Sequence, residues 1–73
     1  MSLVGERLQY LKTTRNLLQK DIAEGSNLSL RGYQNYERSE REPNADALIK
    51  LADYFGVSID YLTGRTDKPE VNK

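Results

Sequence analysis

Between Leu30 and Arg38 the chain reads LRGYQNYER. On a helix turning about 100° per residue, Leu30, Gln34, Arg38, Arg31 and Asn35 fall within an arc of about 140°. Gly32, Tyr36 and Tyr33 lie on the other side. One face therefore carries two amides, two guanidinium groups and a small apolar contact. Amides both donate and accept, and guanidinium donates through a planar fork. Such a set can recognise a polar surface, but it holds no nucleophile and no base. The same periodicity also describes an amphipathic surface helix with a solvated polar side, and spacing alone leaves both open.

The rest of the composition narrows the chemistry. The 73 residues include no cysteine and no histidine. A disulfide, a thiolate nucleophile, the commonest general base and the commonest metal ligand are thus all missing, so no enzyme, cofactor or metal is expected. Asp46, Asp53 and Asp60 recur at a constant spacing, but they read as a cap-proximal acid and solvated faces. Apolar residues near the start are too sparse for a signal peptide, and no run is long enough to span a membrane. A cytoplasmic protein is the expectation. Formal net charge is zero, yet its distribution is uneven. Seven basic residues face five acidic ones through Arg41, and the balance reverses afterwards. That polarity has the right sign for an anion-facing N-terminal half.

A chain this short makes one domain with a small core. No strand pattern or internal repeat is present, and five short helices are predicted. The first runs over Leu3 to Arg15, with Val4, Leu8 and Leu11 as its apolar stripe and Asn16 at its C-terminal end. The second runs from Gln19 to Gly25, with Gly25 marking an early end. Ser26, Asn27 and Leu28 break the pattern, and Asn27 suits a turn that needs positive φ. Ser29 then caps a third helix, Leu30 to about Arg38. Two helices joined so closely form a helix-turn-helix unit, whose second helix can enter the DNA major groove. A charged loop with Pro43 follows. Asn44 caps a fourth helix over Ala45 to Phe55, with Ala45, Leu48, Ile49, Leu51, Ala52 and Phe55 as the main core wall and Gly56 as its stop. Ser58 caps a fifth helix that ends at Gly64. The polar tail, residues 65–73, is expected to fray.

The order and spacing of several short motifs carry a family likeness. They are Gly5-Glu-Arg-Leu8, Gln19-x-x-Ile-Ala23, Ser29 with Tyr36-Glu-Arg38, Arg41-Glu-Pro43, and Leu51-Ala-Asp-Tyr-Phe-Gly-Val-Ser58 with Tyr61-Leu62. Together they resemble the Cro/cI, or XRE-like, family of phage-repressor-type DNA-binding domains. The resemblance covers residues 4–64 and implies an all-α, compact five-helix, lambda-repressor-like domain with its helix-turn-helix at helices 2 and 3. Four positions depart from the family pattern: Leu18, where a small polar cap is usual; Ser26, usually apolar; Asn27, usually glycine; and Tyr33, usually β-branched. Gly25 and Gly32 could make room for Tyr33.

The resemblance also implies roles. Leu30, Arg31, Gln34 and Asn35 match base-facing positions. Arg31 could fork onto guanine, Gln34 or Asn35 could pair with adenine, and Leu30 could touch a thymine methyl. Gln19, Ser29, Arg38 and Arg41 match phosphate contacts, with Arg15 and Lys20 as weaker candidates. Lys12 and Glu37 match a structural ion pair. The function implied is a sequence-specific, double-stranded DNA-binding transcriptional regulator of phage or bacterial type, a repressor acting on a pseudo-palindromic operator. The surplus apolar surface of the fifth helix, Val57, Ile59, Tyr61 and Leu62, suggests a homodimer interface, although these residues could equally close the core. An antitoxin on the same fold, or an interaction module that has lost DNA binding, are the alternatives. No membrane or small-molecule partner is expected. No effector domain is seen after residue 64, so induction within this chain is not expected.

Overall fold

Local signals set the helix boundaries in the computed structural model, which describes residues 3–70. The helices are α1 (Val4–Thr14), α2 (Gln19–Gly25), α3 (Leu30–Glu37), α4 (Ala45–Phe55) and α5 (Ile59–Thr63). Ser29, Asn44 and Ser58 each accept a bond from a backbone N–H inside the helix they precede, at 3.0, 2.8 and 3.0 Å. Each bond satisfies a donor that has no partner within its own helix. Gly56 and Gly64, at φ 69° and 82°, end α4 and α5 in the left-handed region. Asn16, Asn27 and Ser39 adopt the same region at φ 55°, 57° and 61°. The two asparagines are the residue type best suited to it after glycine. Ser39 is less expected there.

The core gathers Val4, Leu8 and Leu11 of α1, Ile22 and Ala23 of α2, Tyr33 of α3, Leu51, Ala52 and Phe55 of α4, with Val57, Tyr61 and Leu62. Leu17, Leu28, Leu48, Tyr36 and Tyr54 pack around it. The core wall of α4 differs from expectation. Ala47 is buried, whereas Ala45 is exposed and Ile49 is 48% exposed. Ile49 stands two residues from buried Leu51, which on a helix is the far side.

Two glycines act differently from the sequence reading. A side chain at Gly25 would strike the Tyr54 ring of α4, so Gly25 lets α2 and α4 approach rather than making room for Tyr33. At Gly32 a Cβ would come within 2.9 Å of the capping Ser29 Oγ, again not of Tyr33. Gly5 has a comparable task, because the carbonyls of Tyr36 and Glu37 and the Ser39 hydroxyl lie against it. The N-terminal turn of α1 thus meets the end of α3 at backbone distance.

Over its described part the tail touches the body of the domain. Pro69 O accepts from Ser58 N at 3.0 Å, and Arg7 reaches Asp67 at 3.0 Å. Arg7 also stacks over the Tyr61 ring, 4.3 Å from its centroid. Residues 71–73 of the predicted tail, like Met1 and Ser2, lie outside the described residues.

Candidate nucleic-acid interface

The turn between α2 and α3 is tight because Asn27 reverses the backbone. Leu28 N then donates back to Ala23 O at 2.8 Å. Leu28 turns towards the core while Ser29 starts α3. Ser26 is 2% exposed, and its Oγ has no hydrogen-bond partner. Leu18 stands at the start of α2 without a side-chain cap bond. The first N–H groups of α2 are therefore not capped by a side chain and can meet solvent or an anion.

Tyr33 points inward and anchors α3, with no exposed surface. Opposite it, Leu30 is 44% exposed, Arg31 is exposed, and Gln34 and Asn35 are half-buried. Together with Arg38 and Glu40 they line an open depression of about 530 Å³. Glu40 was absent from the sequence reading of this face. It arrives there because the backbone turns sharply after α3: Glu40 N and Arg41 N both return to Asn35 O, at 2.9 and 3.3 Å. Ser29, Lys20, Arg38 and Arg41 are exposed near the two ends of the unit. Arg38 keeps only a loose approach to Glu40, at 3.9 Å.

The basic residues of α1 are engaged within the molecule. Lys12 Nζ donates to Glu37 Oε1 at 2.7 Å. Arg15 donates to Phe55 O at 2.7 Å and lies over the Phe55 ring. It therefore neutralises the carbonyl end of α4, where a cation is favoured. With Arg7 held by Asp67 and Tyr61, and exposed Arg15 tied to the end of α4, the exposed cations of the N-terminal half without such a tie to a distant helix are Lys20, Arg31, Arg38 and Arg41.

Behind the exposed face runs a polar line that spacing could not reveal. Gln34 Nε2 donates to Gln19 Oε1 at 3.0 Å, and Gln19 Nε2 donates to Glu37 Oε1 at 3.1 Å. Glu37 is 5% exposed. Burial works against its charge, but the bonds from Lys12 and Gln19 and the nearby Tyr33 hydroxyl outweigh that and hold the carboxyl below its ordinary range. Burial, and then the neighbouring carboxylate, push the Tyr33 hydroxyl up. Tyr33 Oη and Glu37 Oε2 are close enough to feel one another, yet neither completes a hydrogen bond.

The expected dimer surface needs correction. Val57, Tyr61 and Leu62 are 3%, 6% and 0% exposed, because the loop before α5 and the short α5 itself turn them into the core. Of the four, Ile59 alone is exposed, at 39%. It lines a shallow groove with Ile49, Ala52 and Asp53 of α4. Among the described residues no group of acids could hold a metal ion, and no helix is long and apolar enough to cross a membrane.

A capped polar helix, set by a tight turn against a second helix within a five-helix scaffold, defines a helix-turn-helix domain. The chain belongs to the helix-turn-helix family, whose pattern matches residues 8–62. It is 38% identical over its whole length to the HTH-type transcriptional regulator ImmR of Bacillus subtilis, and spans 57% of that protein. It is 37% identical over 62 residues, 85% of this chain and 55% of the relative, to the cryptic phage CTXphi transcriptional repressor RstR of Vibrio cholerae. Among solved structures, it resembles the P22 c2 repressor protein in complex with a synthetic operator. That match has a TM-score of 0.77 and 31% identity, over 85% of this chain and 94% of that one. The chain therefore spans little more than half the length of these curated relatives.

Proposed function

We propose that this chain is the DNA-binding part of a transcriptional repressor that lays α3 in the major groove of double-stranded DNA. The observation that supports it best is the exposed face of Leu30, Arg31, Gln34 and Asn35, carried on a scaffold that resembles an operator-bound repressor. Arg31 is assigned to a guanine edge, Asn35 and Gln34 to adenine edges, and Leu30 to a thymine methyl. Arg38, Arg41, Ser29 and Gln19 are assigned to phosphates, which position the helix without reading sequence. Binding occurs as a dimer on a pseudo-palindromic operator with half-sites about 34 Å apart. Ile59, with Ile49 beside it, supplies the exposed apolar contact for that dimer. Function in the cytoplasm follows from this role. Repression then results from occupying a promoter.

Selection from a random DNA pool, followed by gel shifts across a salt series, tests this. A folded protein with no preferred sequence at moderate salt would sink it. Arg31→Ala is expected to flatten one base position of the motif. Arg41→Ala is expected to weaken all sequences alike and to lower the salt slope by about one unit. Identical behaviour of the two variants would refute the division between reading and positioning.

A further inference from the structure

A glutamine amide presents different chemistry at its two ends. The oxygen accepts, and the nitrogen donates two hydrogens. Turned by 180°, the same side chain offers the opposite pattern to a base edge. In this chain the orientation of Gln34 is dictated from inside the protein.

The line of bonds begins at Lys12, which can only donate, and Glu37, which as a carboxylate can only accept. Glu37 Oε1 accepts from Lys12 Nζ at 2.7 Å and from Gln19 Nε2 at 3.1 Å. Gln19 must therefore turn its NH₂ towards Glu37. Its oxygen is left for Gln34, which can meet it only with NH₂, at 3.0 Å. Flipping either amide would set oxygen against oxygen or NH₂ against NH₂. The carboxylate that sets this polarity is 5% exposed, out of reach of any groove-bound ligand. Gln34 itself lines the outer depression beside Leu30, Arg31 and Asn35.

We infer that Glu37 is a positioning residue for base readout: through Gln19 it orients the Gln34 amide, leaving the Gln34 oxygen and one N–H for DNA. This rests on α3 being the major-groove helix. A free oxygen accepts from the amino groups of adenine (N6) or cytosine (N4). It finds no donor on guanine O6 or thymine O4, which are acceptors. Guanine and thymine can use only the remaining N–H and cytosine only the oxygen, whereas adenine satisfies both at once, N6 donating to the oxygen and N7 accepting the N–H, so Gln34 favours adenine.

The test compares motifs selected from random DNA by the wild type, Gln34→Met, Gln19→Met and Glu37→Gln. The wild type is expected to show one position that prefers adenine, and Gln34→Met to lose that preference. Gln19→Met and Glu37→Gln are each expected to reduce discrimination at that same position by about five-fold or more, with the position assigned to Arg31 unchanged. Glu37→Gln keeps the shape but replaces a charged acceptor by a neutral one, so the hold on the Gln19 NH₂ weakens. Gln19→Met also removes a phosphate contact, which lowers affinity for all sequences equally and leaves the motif itself untouched. Should Glu37→Gln fail to fold, half-exposed Gln19 still carries the test. An unchanged motif in Gln19→Met would overturn the inference, as would loss of preference at every position alike. NMR of the side-chain amides in the free protein separates the two readings. Gln34 held against Gln19, in a wild type that selects no motif, would mean that the DNA reading has failed and the readout role with it. A motif without a held Gln34 amide would mean that the relay alone is wrong.

Discussion

Ser26 contributes a buried hydroxyl with no partner to the wall of a small core. Leaving a buried polar group unsatisfied costs about 1–3 kcal/mol. Ser26→Ala is therefore expected to stabilise the fold by about 1 kcal/mol in urea denaturation, since it removes the orphan and little volume. Glu37 works the other way, because its charge is held by Lys12 and Gln19. Lys12→Met should cost roughly 2–3 kcal/mol near neutral pH, below the figure for a fully buried pair, since a quarter of the lysine side chain meets water. Its pH dependence has a defined sign. The folded carboxyl titrates below its unfolded value of about 4.3, so its contribution is complete above that pH and disappears as pH falls through the folded value. Urea melts from pH 7 to pH 3 should show the gap between Lys12→Met and wild type closing at the acid end. A gap that stays constant would mean that the ion pair is not its source.

Between elements, the controlling contacts are close approaches of backbone. Gly25→Ala places a methyl into the Tyr54 ring and is expected to destabilise by about 1–3 kcal/mol, although alanine is the better helix former. In a Tyr54→Ala background the same change should become neutral or stabilising by up to about 1 kcal/mol, as helix propensity then dominates. A double-mutant cycle by thermal denaturation measures this, and additivity would refute the contact. Asn27, at φ 57°, governs the turn between α2 and α3. Asn27→Val should cost about 1–2 kcal/mol, because a β-branched residue resists the left-handed region, whereas Asn27→Gly should be tolerated. Helix boundaries were legible in the sequence because their determinants are local. Ser29, Asn44 and Ser58 need only their own first turn to act as caps. The purpose of Gly25 was not legible, because Tyr54 lies on another helix.

At the scale of the whole molecule, the fold leaves little of the expected dimer surface for a neighbour. The short α5 and the loop before it commit Val57, Tyr61 and Leu62 to the core and present Ile59 outward near Ile49. Ile59→Lys is expected to leave the melting temperature within a few degrees of wild type, because the side chain is already in water. In sedimentation at high protein concentration the same variant should lose any dimer. A wild type that stays monomeric on operator DNA would remove the dimer from the proposal. The charge pattern also takes its meaning at this scale. The positive balance up to Arg41 becomes directional because Arg7, Lys12 and Arg15 are engaged by partners within the molecule, leaving the cations of α2, α3 and the following loop free of such ties.

By itself, the sequence determined five helices, three side-chain caps, the reversed turn at Asn27 and the polar stripe on α3. All of these depend on residues within a few positions of one another, where propensity and periodicity act. Only the tertiary structure decided which polar groups face outward and which are bound inside. Arg15 meets a carbonyl 40 residues away. Gln34 meets Gln19, and Gln19 meets Glu37, from two different helices. Hydrogen bonds between helices depend on the angle and distance at which the helices pack, and the core sets both through side chains distant in the chain. The stripe on α3 was therefore legible as a list of groups, whereas the direction in which its central amide points was settled by the fold.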